Sequence, residues 1–183
     1  MYLPLAVFFI ATGLSFTLPA IHEILPNAAI YTLYLLLPSL AIQPVVLWLY
    51  VIGLTSPTPW QFSSKYWPHF IPTALSISCT ILMLVAPKSL IQQIFFGQEY
   101  PNSLLGNVIV ISLVGLMLIY LVQITGYLIA VVRRLLRYQT QLKLLFSSNE
   151  NRELLWVLVL VTVIAVTWLL TLIYFIPTLF AKS

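Results

Sequence analysis

Residues 104–132 contain no Asp, Glu, Lys or Arg, and Arg133 and Arg134 follow at once. A helix crosses the hydrocarbon core of a bilayer with roughly 20 apolar residues, so this run is long enough to span. Comparable runs occupy residues 3–21, 28–54, 67–85 and 154–176. Inside hydrocarbon every backbone N–H and C=O must be satisfied within the protein, and a helix does this along its own length. The sequence therefore predicts an all-α fold: a polytopic transmembrane helix bundle of about five spans. The runs at 28–54 and 104–132 exceed the minimum, so tilt or projection into the interface is expected.

Composition excludes the soluble alternative. Hydrophobic residues make up 61% of the chain and charged residues 7%, and Asp is absent. A soluble domain carries about a quarter charged residues. The net charge of +4 could address an acidic partner, but Lys and Arg retained in cytoplasmic loops account for it. No basic residue precedes the first apolar run, which reads as a retained helix rather than a signal peptide. The lone Cys79 lies in an apolar run, so an intrachain disulfide is impossible and a packing role is expected.

The boundaries between runs carry physical markers. His22-Glu23 and Pro26-Asn27 separate the first two, and Ser56-Pro57-Thr58-Pro59 forms a turn cluster. Trp60, Tyr66 and Trp67 read as an interfacial aromatic belt, and Pro87-Lys88 ends the third run. In 89–96, Leu90, Ile91, Ile94 and Phe95 recur at helical spacing with Gln92 and Gln93 opposite. That pattern predicts a short helix on the membrane surface. Repeats, low-complexity tracts and a soluble domain are absent, so residues 1–183 read as one membrane domain.

Charge sets the expected orientation. With five spans, Lys65, Arg133, Arg134, Arg137, Lys143 and Arg152 fall on one side, and Lys88 and Lys182 on the other. The richer side faces the cytoplasm. The N-terminus is then inside and the C-terminus outside.

Catalytic chemistry is not legible. The glycines are scattered singly and cradle no phosphate. His22 and His69 stand far apart without an acidic or thiol cluster, so interfacial hydrogen bonding is expected rather than a metal. A Ser/His/Asp set is impossible without Asp. The reading is a non-enzyme without cofactor. Mid-span ionisable residues, the mark of a transport path, are lacking as well.

Neutral polar residues remain. Gln43 adjoins Pro44, whose missing N–H frees a carbonyl one turn back. Pro38 does the same earlier in the run. Tyr120, Gln123 and Tyr127 fall at i, i+3 and i+7 on one helix face, with Thr125-Gly126 beside them. Hydroxyls also come from Ser76, Ser78 and Thr80 in the third run and from Thr167 and Thr171 in the fifth. Interhelical hydrogen bonding, needed by any bundle in lipid, is the first reading of these residues. A small-molecule pocket lined by Gln43, Tyr120, Gln123 and Tyr127 is the alternative.

The basic junction has helical logic. Leu135, Tyr138, Leu142 and Leu145 form one apolar stripe, with Arg133, Arg137, Thr140 and Gln141 opposite. The fourth span is thus expected to continue as a cytoplasmic amphipathic connection over 133–152. Ser147 with Glu150 fits a capping box, Glu153 favours the start of the next helix, and Trp156 sits at its interface. Arg133, Arg134, Arg137, Lys143, Glu150 and Trp156 are the candidate topology and relay residues.

Leu142-Lys143, Phe146-Ser147-Ser148, Glu150 and Leu154-x-Trp156, after basic residues ending a span, resemble the membrane-embedded N-terminal domain of AraC-type transcriptional regulators. Pro44 followed by Tyr50-Val51 and Leu54-Thr55 looks like another motif of that domain, and His69-Phe70-x-Pro72 like a third. Together they cover residues 40–157. The family has about seven spans and a cytoplasmic helix-turn-helix domain. This chain lacks one helix before Leu3, the last span and the DNA-binding domain, which marks it as a fragment, a truncated product or a stand-alone relative. The resemblance implies a sensory or signal-relay domain in the bacterial inner membrane, answering a small-molecule or lipid signal, with a homodimer allowed and no nucleic-acid binding by this chain. A small transporter or assembly factor, and the sensor part of a membrane histidine kinase, stand as alternatives.

Overall fold

The computed structural model describes residues 2–24, 29–57, 61–96 and 102–145, together with Val159, Thr162, Val163 and Val166. The fold is all-α, and no strand occurs among the described residues. The helices are α1 (Tyr2–Ile24), α2 (Ala29–Leu54), α3 (Ile71–Val85), α4 (Lys88–Phe96) and α5 (Leu104–Leu145), with a 3-10 helix over Ser64–Phe70 before α3. Three stretches are long and apolar enough to cross a membrane: Tyr34–Leu54, Ser64–Val85 and Leu104–Gln141. The expected span at 154–176 falls outside the described residues apart from the four isolated positions, as does the connection beyond Leu145.

Local chemistry sets the ends of these helices. At the close of α2, Thr55 returns both its backbone N–H and its hydroxyl to the Val51 carbonyl, at 3.0 and 2.7 Å. Pro57 then bars further helix. The third span opens differently from the expected helix beginning at residue 67. Its first seven residues are 3-10, because Pro68 within them has no N–H to give an α-helical ladder. Pro72 is accommodated in the first turn of α3, where N–H groups lack intrahelical acceptors anyway. At the start of α5, the Ser103 hydroxyl accepts the Gly106 N–H at 3.0 Å, an N-cap.

The chain divides into two units, residues 1–127 and 128–183. In the first, α2 is the hub: α1 lies along it and α3 packs on it. Pairwise contacts give the directions. Ser15 meets Ser39 while Ala11 meets Gln43, so α1 and α2 are antiparallel. Tyr34 meets Thr80 while Trp48 meets His69, so α2 and α3 are also antiparallel. Ala41 meets Gln123 while Trp48 meets Tyr127, so α5 runs parallel to α2. Successive long helices thus alternate in direction.

Two apolar clusters close this unit at its ends. Tyr34, Met83, Ala86, Ile91 and Ile109 form one, and Val45, Leu49, Ile52 and Tyr66 the other. The first shows what α4 does. Its Ile91 is fully buried, with Leu90, Ile94 and Phe95 packed alongside, while Gln92 is exposed. The predicted amphipathic helix is therefore present, but its apolar face is spent on protein as well as on the surroundings. The second cluster revises the aromatic belt. Tyr66 is buried edge-on against Trp48, with ring centroids 5.9 Å apart, whereas Trp67 is exposed. Trp60 lies outside the described residues.

In the second unit, the described helix carries Val131 and Leu135 fully buried on one side. Arg133, Arg134, Arg137, Thr140 and Gln141 are exposed. Leu136 is exposed too, so the polar face is not purely polar.

Candidate functional site

Prolines create the first polar station. Pro38 cannot donate to the Tyr34 carbonyl one turn earlier, and the Thr80 hydroxyl of α3 supplies that donor at 3.3 Å. Pro44 likewise strips the Leu40 carbonyl of its helical donor. One residue on, the Ala41 carbonyl accepts Gln123 Nε2 from α5 at 3.2 Å. Thus α3 and α5 are both tied to α2 beside carbonyls that proline disturbs.

Gln43 turns the other way. Its Nε2 donates to the Ala11 carbonyl at 3.1 Å and to Ser15 Oγ at 2.6 Å. Ser15 Oγ stands 3.3 Å from Ser39 Oγ, and each serine also bonds to a carbonyl within its own helix. This polar seam holds α1 against α2. Gln43 is absent from the cleft described next, so the four candidate pocket residues do not converge.

That cleft is formed by α2, α3 and α5. It has a volume of about 160 Å³, and Leu40, Pro72, Ser76, Met117, Tyr120 and Gln123 are among its walls. The lining is predominantly apolar. Ser76 directs its hydroxyl to the Thr73 carbonyl at 2.8 Å. Gln123 is 8% exposed. Its amide nitrogen is committed to Ala41, which fixes the amide orientation, since the carbonyl oxygen could not donate there. Its Oε1 is buried and has no hydrogen-bond partner among the described residues.

Tyr127, one turn beyond Gln123, belongs to a third station. Its hydroxyl hydrogen-bonds His69 Nδ1. Trp48 packs on both, with centroids 4.4 Å from His69 and 5.4 Å from Tyr127. Sequence reasoning placed His69 at an interface but did not pair it. The available signal was topological: His69 opens the third span and Tyr127 lies near the end of the fourth, so alternating helices bring both to one end. The spacing of Tyr120, Gln123 and Tyr127 was sound in one respect, because all three turn toward the same helix neighbours.

At the opposite end, Lys88 Nζ donates to the Tyr31 hydroxyl at 3.1 Å and lies 5.6 Å from its ring centroid. The hydrogen bond to Tyr31 raises the ammonium pKa above its ordinary value. Among the relay candidates, Arg133, Arg134 and Arg137 are exposed on α5 and Lys143 falls in its last turn. Glu150 and Trp156 lie outside the described residues. No group of three or more potential metal ligands occurs among the described residues. No protein-family model, curated protein or solved structure matches this chain.

Proposed function

We propose that this chain is the sensory part of a membrane signalling protein, set in the cytoplasmic membrane of a bacterium with its N-terminus inside. The observation that carries the reading is the continuity of α5. One 42-residue helix bears the cleft residues Tyr120 and Gln123, the His69 partner Tyr127, and the basic positions Arg133, Arg134 and Arg137. Its 42 residues are about twice the number a single crossing needs. A change in helix packing within the bilayer would reach the basic stretch through that same continuous helix. A signal achieves this only by binding one packing better than another. The resemblance to AraC-type regulators supports the same role, and in that family the output is a cytoplasmic DNA-binding domain.

Charge placement supports the orientation. Within residues 1–127, Lys65 stands at the end where α2 finishes and Tyr127 lies, whereas Lys88 stands at the other. The cytoplasmic side is the one that Arg133, Arg134 and Arg137 follow. The test has two arms. In intact cells, an impermeant thiol reagent is expected to label Ser89→Cys and not Ser64→Cys. Replacing Arg133, Arg134 and Arg137 together by Gln is expected to change topology or signal output. The reverse labelling pattern sinks the orientation, and an unchanged topology and output sinks the relay.

A further inference from the structure

The stretch of α5 beyond Val132 has the charge and geometry of a phosphate-binding face, and we infer that Arg133 and Arg137 bind the headgroup of an anionic phospholipid. The inference goes beyond the sensory reading and needs no signalling. Topology requires only that cations stay on one side of the bilayer, which any lipid allows. Selection of one lipid over another is a further property.

Charge comes first. Residues 128–145 hold Arg133, Arg134, Arg137 and Lys143 and no acidic residue. Like charges one helical turn apart repel each other, and Arg133 and Arg137 are so placed. Both are exposed, and neither has a hydrogen bond or ion pair among the described residues. Arg134 is exposed too but has an interaction of its own, so the site is built on the other two. The helix puts them on one face. They stand about 40° apart around its axis, each about 160° from Leu135, which is fully buried. The basic face therefore points away from the side on which this helix packs.

Guanidinium chemistry then names the ligand. Two arginines on successive turns can each direct a planar pair of N–H donors at the oxygens of one phosphate. Phosphatidylcholine has that phosphate too, but the same arginines repel its ammonium. A headgroup without a compensating cation, such as that of phosphatidylglycerol, keeps the whole attraction. The surroundings favour a lipid over a soluble anion. The uncharged run ends at Val132, and a cation is costly in hydrocarbon, so Arg133 enters at the headgroup layer. Arg137 follows about 6 Å further along the helix, about the depth of that layer. Leu136 lies about 60° from Arg133 and is 53% exposed. An exposed leucine beside cations suits the membrane interface, where apolar and charged groups both find partners. An aqueous anion would leave it in water.

The experiment uses the full chain with Cys79→Ala and a fluorophore on Ile129→Cys, in phosphatidylcholine nanodiscs. Ile129 is 47% exposed and lies one turn before Arg133 on the same face. Quenching is followed as a nitroxide-bearing lipid replaces part of the host, either phosphatidylglycerol or phosphatidylcholine with the same acyl chains. One Lys or Arg near the surface is worth a factor of about five toward anionic lipid. The phosphatidylglycerol probe is therefore expected to bind beside residue 129 at least about fivefold better, and by less at high salt. Arg133→Gln with Arg137→Gln is expected to lose the preference. Arg133→Lys with Arg137→Lys keeps the charge and is expected to keep most of it, which separates charge from folding. Lys88→Gln with Lys182→Gln removes as much charge elsewhere and is expected to leave the preference intact. Equal quenching by the two probes in the wild type would overturn the inference and leave the face to a soluble acidic partner. A preference that survives in the Gln pair would overturn the role of Arg133 and Arg137. The measurement involves no signal output, so its failure would leave the sensory reading untouched.

Discussion

Helices α2 and α5 run parallel through the same bundle and have opposite relations to it. More than half of the most apolar stretch of α2 is buried, 56%, against 6% for that of α5. Yet α2 carries two prolines and a glutamine, and the apolar stretch of α5 is the more hydrophobic of the two. In water the greasier helix would go inside. In lipid the surroundings are as apolar as leucine, so burial follows from packing and hydrogen bonding. α2 is central because it has something to bond: carbonyls disturbed at Pro38 and Pro44, and Gln43. α5 touches it through Gln123 and Tyr127 and leaves Ile111, Leu118 and Val122 bare.

The contrast can be broken at its strongest point by truncating each helix. Leu49→Ala, on α2 and 2% exposed, is expected to cost about 2 kcal/mol, the low end of the range for soluble cores. In a bilayer the cavity remains but most of the transfer term vanishes. Leu118→Ala, on the bare side of α5, is expected to change stability by less than about 0.5 kcal/mol. Unfolding in mixed micelles measures both, and equal losses would erase the distinction.

Next in size is the α1–α2 seam. Gln43→Leu is expected to cost about 1 kcal/mol, in line with interhelical hydrogen bonds in membranes. Because the bond goes to Ser15, adding Ser15→Ala should cost less than it does alone. Strict additivity in the double-mutant cycle would mean that the two side chains act independently.

A smaller effect is expected at the Tyr127 station. Tyr127→Phe keeps the contact with Trp48 and removes the His69 bond, for roughly 0.6 kcal/mol. His69→Phe combined with it should add little through that bond, and a large additional loss would show that Trp48 packing, rather than the hydrogen bond, holds α5 to this end.

The smallest expected effect lies at Lys88. Hydrogen bonding to Tyr31 raises its pKa above the ordinary 10.5. A raised pKa means that the folded state holds its proton more tightly, so the stabilisation is complete below 10.5 and fades as pH climbs through the folded value. The stability difference between wild type and Tyr31→Phe should therefore stay constant from neutral pH to about 10 and close above it. A difference that grows with alkalinity would reverse the assignment.

Much of the helix plan was legible because apolar length and proline placement act locally. The starts of α2 and α5, the short α4 and the extension of α5 past Arg133 all fell where apolar runs, prolines and the Leu135–Tyr138 stripe put them. The 3-10 entry at Ser64–Phe70 was missed, although Pro68 within it, lacking an N–H, was a local signal; its packing against Trp48 and Phe62 appears only in the folded structure. The candidate site was half legible. Periodicity put Tyr120, Gln123 and Tyr127 on one face of α5, where the first two line the cleft and Tyr127 meets His69 instead, while Gln43 was added from another helix on polarity alone. Its direction depends on whether α1 or α5 lies against that side of α2.

The sequence by itself determined the solvent of this protein and the helices that solvent permits, because hydrocarbon forces each backbone group to bond within its own segment. Which helix became the hub, which glutamine closed a seam and which met a cleft were decided only by the tertiary structure. Those outcomes rest on contacts between residues as distant as Ala41 and Gln123, and no periodicity along one helix encodes the rotation of its neighbour.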